Sequence, residues 1–225
     1  MQDKLSDWLQ KQGFVGEDSS VHHVRTGENN SVFEVLDNEN EFVLKLNRKG
    51  SEVEKRLSKE ADVLRFLEDH NLQTAQLTFF DSDTELGSVL IQEYIGERDI
   101  DYGELSGEQI KSLTSTLSSL HSISIDKYNS FFNKDAKSEV SASEYFMDHV
   151  DTVEAIWKSY TELTEPEAEI KDLFKKGLEI LKNIESDETF KRSFCHMDFI
   201  NNMRATDDEI YLVDWELARP EMPEY

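Results

Sequence analysis

The chain has 225 residues, 37% of them hydrophobic and 10% aromatic, enough for one large domain or two small lobes with a real core. With 48 acidic against 24 basic residues and a net charge of -24, its surface repels phosphate backbones and anionic membranes, which argues against general nucleic-acid binding and membrane docking. A single cysteine, Cys195, rules out an intrachain disulfide and a thiolate metal cluster, and no apolar run approaches the roughly 18 residues of a membrane span.

The N-terminal stretch MQDKLSDWLQKQG is amphipathic and charged, without the apolar core of a signal peptide. The default expectation is therefore a soluble cytoplasmic protein. The excess acid fits either a well-solvated surface or adaptation to a salt-rich cytoplasm, where screening removes self-repulsion.

In chain order, a short helix is expected near 4–12, ending at Gly13. Strand-like runs follow at 20–25, 31–35 and 41–46, the last two separated by the turn signal Asp37-Asn38-Glu39-Asn40. Ser51 with Glu54 reads as a capping box, and Val53, Leu57, Leu64 and Leu67 recur at helical spacing. Two further strands, 76–80 and 88–94, precede Gly96. Beyond it the character turns helical, with helices expected at 106–121 (capped by Ser106), 141–163 and 165–184, before strands return from 194 to 218. The order predicts an α+β chain in two lobes, with a boundary near 93–97 and a cleft at the junction.

Several polar residues sit where apolar ones are expected. In EFVLKLNR, Phe42, Leu44 and Leu46 share one face of a strand and Val43, Lys45 and Asn47 the other, so the Lys45 ammonium stands among apolar neighbours. It is either an edge-strand lysine reaching water or one that needs a buried partner. Glu60, three residues after Leu57 and four before Leu64, falls on the apolar side of its helix. It is either solvated at the edge of the stripe or paired, and Lys45 could supply the pairing. Near the end, CHMDFINNM is followed by the turn signal TDDE and then IYLVD. Arms at 202–205 and 210–213 fit a β-hairpin that returns Asp214 beside Asp198 and Asn202, a set of hard oxygen donors suited to Mg2+. Phe199 and Ile200 are expected to anchor the loop.

Taken together, these residues resemble the aminoglycoside phosphotransferase and choline kinase-like family, small-molecule kinases with a protein-kinase-like fold. The pieces that carry the resemblance are HMD, Asn202, VDWELA, Lys45 with Glu60, the hinge-like QEYIG, LHSI and GENNSVFEV. The resemblance implies a two-lobe α+β fold. In it, residues 1–95 form a nucleotide-binding lobe with an antiparallel sheet and one main helix. Residues 96–225 form a mostly helical lobe carrying a catalytic-loop hairpin. It also implies that ATP and Mg2+ are the cofactors and that a small molecule with a hydroxyl (an aminoglycoside, a choline- or ethanolamine-like alcohol, or a sugar) is the acceptor. Asp198 would orient that hydroxyl and take its proton. Asn202 and Asp214 would hold Mg2+. Lys45, positioned by Glu60, would bind the α- and β-phosphates. Glu93 and Ile95 would offer backbone groups to adenine, and Asn30 and Ser31 would contact phosphate. His196 would brace the catalytic loop and Glu216 would support the metal site.

Two departures from the family pattern frame the expectations. The metal-binding Asn usually falls five residues after the catalytic Asp, whereas Asn202 is four after Asp198 and position 203 is Met, so Asn201 is a second candidate. The family continues past Asp-Trp-Glu with several helices, whereas this sequence runs eleven residues beyond Asp214, so an incomplete helical lobe is expected. The alternative these departures leave open is a catalytically silent kinase-like module that binds nucleotide or another partner. Elsewhere, the adjacent His22 and His23 point to opposite strand faces and do not form a metal site, and Cys195 is read as packed core.

Overall fold

The computed structural model describes residues 2–26, 30–38, 40–47, 54–96, 100, 105–165, 167–183, 188–200 and 202–223. Packing divides the chain into two units, residues 1–123 with 194–219, and residues 124–193 with 220–225.

The first unit begins with α1 (Gln2–Gln12), whose Leu5, Trp8 and Leu9 are buried, and which stops where Gly13 takes a φ of 77° that only glycine adopts without strain. Five strands follow: β1 (Ser20–Thr26), β2 (Ser31–Leu36), β3 (Glu41–Asn47), β4 (Leu77–Thr84) and β5 (Gly87–Glu93), in the antiparallel order β1-β2-β3-β5-β4. The two-residue alternation read in β3 holds: Phe42, Leu44 and Leu46 pack with α1 and with Phe33 and Val35 of β2 in one core cluster. α2 (Glu54–Leu67) lies between β3 and β4, with Leu57, Ala61, Leu64 and Leu67 buried. The expected Ser51 cap falls outside the described residues.

α3 (Gly107–His121) opens on the expected Ser106, here in a full capping box: Ser106 Oγ accepts from the Gln109 N–H at 3.1 Å and Gln109 Oε1 accepts from the Ser106 N–H at 2.9 Å. Each bond satisfies a donor that the helix itself cannot. Later in the chain β8 (Ser193–Cys195) is followed by the hairpin of β9 (Met203–Ala205) and β10 (Ile210–Leu212), paired from Ile210↔Ala205 to Leu212↔Met203. α3 holds this hairpin through Gln109 Nε2–H to the Thr206 carbonyl (3.1 Å) and the Ile210 N–H to Ser112 Oγ (3.0 Å).

The second unit contains α4 (Ile125–Phe132), β6 (Glu139–Ser141), α5 (Ala142–Leu163), α6 (Ala168–Lys182) and β7 (Thr189–Lys191). β6 pairs antiparallel with β7, and Trp157 of α5 stacks on Phe174 of α6 at 4.1 Å between ring centroids and 7° between planes. Neither α4 nor the β6–β7 pair was legible in the sequence. Among the described residues no helix is long and apolar enough to cross a membrane.

Candidate phosphotransfer site

Lys45 lies on β3, the middle strand of five, in register with Val32 on one side and Leu90 on the other. A central position removes the edge-strand route to water, and the residue is only 4% exposed. Its ammonium is instead paired twice, with Glu60 Oε1 at 2.6 Å and with Asp214 Oδ1 at 3.0 Å. Burial disfavours the charged amine, but Glu60 and Asp214 outweigh it and hold the Lys45 pKa above its ordinary value. Glu60 is fully buried on α2, with Oε2 left without a partner. Burial pushes its carboxyl upward and the Lys45 charge offsets part of that push. The Lys45–Glu60 pairing was anticipated from the two sequence patterns, whereas the direct Lys45–Asp214 contact was not.

Asp214 closes β10 in a left-handed conformation (φ 69°, ψ 62°), costly for a non-glycine residue and persisting only when the surroundings impose it. Here they do. The next residue, Trp215, is completely buried and its indole N–H donates to Thr74 Oγ1 at 2.7 Å and to the Leu212 carbonyl at 3.1 Å. The Leu212 N–H donates to the Gln73 carbonyl at 3.0 Å, so the segment before β4 clamps the end of β10.

Asp198 follows Met197, also left-handed with φ 72°. The Asn202 side-chain amide donates to the Asp198 carbonyl (2.9 Å) and to Asp198 Oδ2 (3.0 Å), which fixes the carboxylate. His196 fulfils its expected bracing role. The Asp198 N–H donates to Nδ1 at 3.3 Å, so Nε2 carries the proton and donates to the Val213 carbonyl at 3.0 Å. Burial lowers its pKa to about 4 and keeps the ring neutral, as that bonding requires. The Val213 N–H in turn donates to the Asn202 carbonyl at 2.9 Å. Phe199 is half-buried, but Ile200 is 54% exposed and does not anchor the loop in an apolar core. Asn201 lies outside the described residues.

A cavity of about 190 Å3 opens beside this cluster, lined by Lys45 and Asp214 and by Glu93 to Gly96. Val32 and Val43 line it from the sheet, with Val213 and Arg204 also in its wall. The Glu93 N–H is already committed to the Gln76 carbonyl at 2.9 Å, so what Glu93 can offer a ligand is its own carbonyl. Asn30 is half-buried with Oδ1 lacking a partner, and Ser31 begins β2. Glu216 pairs with Arg56 of α2 at 3.2 Å. Sequence reasoning passed over Glu34, Gln92 and Arg204, which also line the cavity. The available signal was a polar side chain inside each apolar strand. Cys195 is buried, as expected of packed core.

Among the described residues no group of three or more His, Cys, Asp or Glu side chains could hold a metal. Asn202 and Asp214 supply hard oxygens of the kind Mg2+ takes, and this cation is commonly held by one or two protein groups with substrate phosphates completing its shell.

The family model described as the phosphotransferase enzyme family matches residues 20–225. The chain belongs to that family. Among solved structures, this family member is similar to the GDP complex of aminoglycoside 2'-phosphotransferase-IIIa, with a TM-score of 0.73, 11% identity and coverage of 98% of this chain and 74% of that one. It is also similar to a Ralstonia eutropha JMP134 protein proposed to be an aminoglycoside phosphotransferase (TM-score 0.68, 17% identity, 99% of this chain and 66% of that one). A third is a Plasmodium vivax ethanolamine kinase (TM-score 0.59, 15% identity, 91% of this chain and 57% of that one). The phosphotransferase-family chain therefore spans between 57% and 74% of the length of these structures. A search of curated protein sequences finds no significant match. These likenesses establish the protein-kinase-like α+β fold, and the family model establishes membership of the phosphotransferase enzyme family.

Proposed function

We propose that the protein moves the γ-phosphate of ATP to a hydroxyl of a small molecule, with Mg2+ bound at Asn202 and Asp214. The observation that carries this reading is the buried Lys45, held by both Glu60 and Asp214 and lining a cavity together with the Glu93–Gly96 segment. Phosphoryl transfer requires positioning and neutralised charge rather than covalent chemistry; the fixed ammonium supplies positioning, and a cation at Asp214 would supply the remaining positive charge. Lys45 binds α- and β-phosphate oxygens and Glu60 keeps its ammonium aimed. Asn30 and Ser31 contact phosphate from β2. The Glu93 carbonyl and the Ile95 amide take the base edge. Asp198, immobilised by Asn202 and by His196, accepts the proton of the acceptor hydroxyl as it attacks. Asn202 Oδ1 and the Asp214 carboxylate would hold Mg2+, which would supply positive charge to offset that of the phosphates. Glu216 steadies the Asp214 segment from α2 through Arg56. The GDP bound in the similar aminoglycoside phosphotransferase supports nucleotide use, and the acceptor class remains amino alcohol, sugar or aminoglycoside.

The test is acceptor-dependent ADP release across such a panel, compared between wild type and Asp198→Asn. Loss of the base should slow transfer by about 100-fold to 10000-fold while nucleotide binding persists. Nucleotide binding with no transfer to any acceptor would replace this reading with the silent binding module.

A further inference from the structure

α6 is apolar on two adjoining sides. Phe174, Leu178 and Leu181 are half-buried, and Phe174 stacks on Trp157 of α5. Ile170, Leu173, Gly177 and Ile180 are exposed, and their offsets of three, four and three residues set them in one stripe along the helix. The link between α5 and α6 is short, so the two helices run antiparallel. The residue before each stacked ring, Ile156 on α5 and Leu173 on α6, therefore falls on the same side of the pair. Ile156 and Tyr160, one turn apart, extend the stripe across α5. These five apolar side chains are 42% to 66% exposed and present on the order of 500 Å2, more than half of the about 800 Å2 per partner that a stable interface buries. Gly177 is an independent observation. It stands in the interior of a 15-residue helix, where glycine is among the poorest choices, and its φ is not positive, so the backbone does not require it. A Cβ placed there meets nothing within 4 Å, so packing inside the chain does not require it either.

We infer that this face is the contact surface of a homodimer, with α6 of one copy laid antiparallel on α6 of the other and Leu173 of each seated over the partner's Gly177. The stripe is complementary to its own reverse. Laid antiparallel on a second copy, Ile170 meets the partner's Ile180 and Leu173 meets the partner's Gly177, each contact made twice. A parallel pairing would instead set leucine against leucine and glycine against glycine, crowding beside a hole. The two-fold contact is closed, so association stops at two copies. Two helical hairpins joined this way form a four-helix bundle, whose core is built from apolar rows of this spacing. Charge agrees with the same occupant. Two chains of net charge -24 repel one another, but α6 holds four lysines against three acids, so the copies meet where the repulsion is least.

The experiment is sedimentation equilibrium of the full chain from about 1 to about 100 μM, at low and at high salt, for wild type, Gly177→Gln and Leu173→Gln. Wild type should be a reversible monomer and dimer mixture, with the dimer tightening as salt screens the like charges. Gly177→Gln puts a long side chain into the hollow. It should weaken the dimer by about tenfold or more, while the melting temperature of the dilute monomer holds or rises because glutamine is the better helix former. Leu173→Gln removes the group that fills the hollow and should weaken the dimer to a similar degree. Oxidative cross-linking tests the register. Ile170→Cys mixed with Ile180→Cys should link between unlike copies, and each variant alone should link little, Cys195 being buried. A wild type that stays monomeric over the whole range overturns the inference and leaves this face to a partner other than a second copy. A dimer indifferent to both glutamine substitutions overturns it by moving the contact elsewhere, and cross-links as strong within each cysteine variant as between them overturn the antiparallel pairing.

Discussion

His196 should make the ligand-free protein sensitive to acid in a defined window. The ring is buried and neutral, with Nδ1 accepting from the Asp198 N–H and Nε2–H donating to the Val213 carbonyl. Its pKa is lowered from 6.5 to about 4, chiefly by burial. In the unfolded chain the same group titrates near its ordinary value, so between those two values the unfolded state binds more protons. Stability from this group is therefore complete above about pH 6.5 and is lost as pH falls toward about 4. The shift corresponds to about 3 kcal/mol in total, of which about 2 kcal/mol is gone by about pH 5. The many surface carboxylates also titrate on acidification, so the measurement must be differential. Urea unfolding of wild type and His196→Gln, followed from about pH 7.5 to about pH 5, cancels that background. His196→Gln should be the less stable at neutral pH, and the gap should close by about 2 kcal/mol on acidification. A gap that stays constant within about 0.5 kcal/mol would refute the neutral buried ring, and with it the hydrogen-bond assignment that fixes the loop.

Further outcomes follow from the same contacts. Lys45→Met strands Glu60 in the interior and should destabilise by about 3 kcal/mol or more, with much of that recovered in Lys45→Met/Glu60→Leu; equal destabilisation in single and double variants by urea unfolding would argue against the buried pair. Trp215→Phe deletes the indole donor to Thr74 and Leu212 and should cost about 1 to 3 kcal/mol in thermal or urea unfolding. Arg56→Ala removes a half-exposed ion pair with Glu216 and should cost no more than about 1 kcal/mol, less still in high salt. A loss that salt does not touch would mean that Arg56 matters for packing instead.

Most of what was legible was local. Two-residue alternation placed Lys45 opposite the apolar face of β3, the offsets of Leu57 and Leu64 placed Glu60 on the buried side of α2, and TDDE between two short apolar arms placed the hairpin. Ser106 with Gln109 identified the start of α3 through chemistry contained in four residues. What escaped was either short or distant. β6 and β7 have three residues each, too few for periodicity to show. The Lys45–Asp214 contact joins residues 169 apart, and no local pattern encodes it. Gln92 was hidden for another reason: one amide at the end of an apolar strand resembles a strand terminus until the cavity beside it is seen. Ile200 misled because an apolar residue next to a buried loop was taken as its anchor, whereas it is 54% exposed.

Val213 deserves a different description from its neighbours, because its peptide groups rather than its side chain do the joining. Its N–H is bound by Asn202 and its carbonyl by His196, one residue before the carboxylate of Asp214. The two acid-bearing segments are thereby sewn together at a single residue, and the separation of Asp198 from Asp214 is set by main-chain geometry instead of rotamer choice. Proline at this position would cut the stitch to Asn202, while a change of side chain would disturb only its packing with Ala75 and Ile95. The lysine side of the site meets this stitched pair through the Lys45–Asp214 ion pair, and the Gln73–Thr74 segment adds neutral hydrogen bonds to Leu212 and Trp215 beside it.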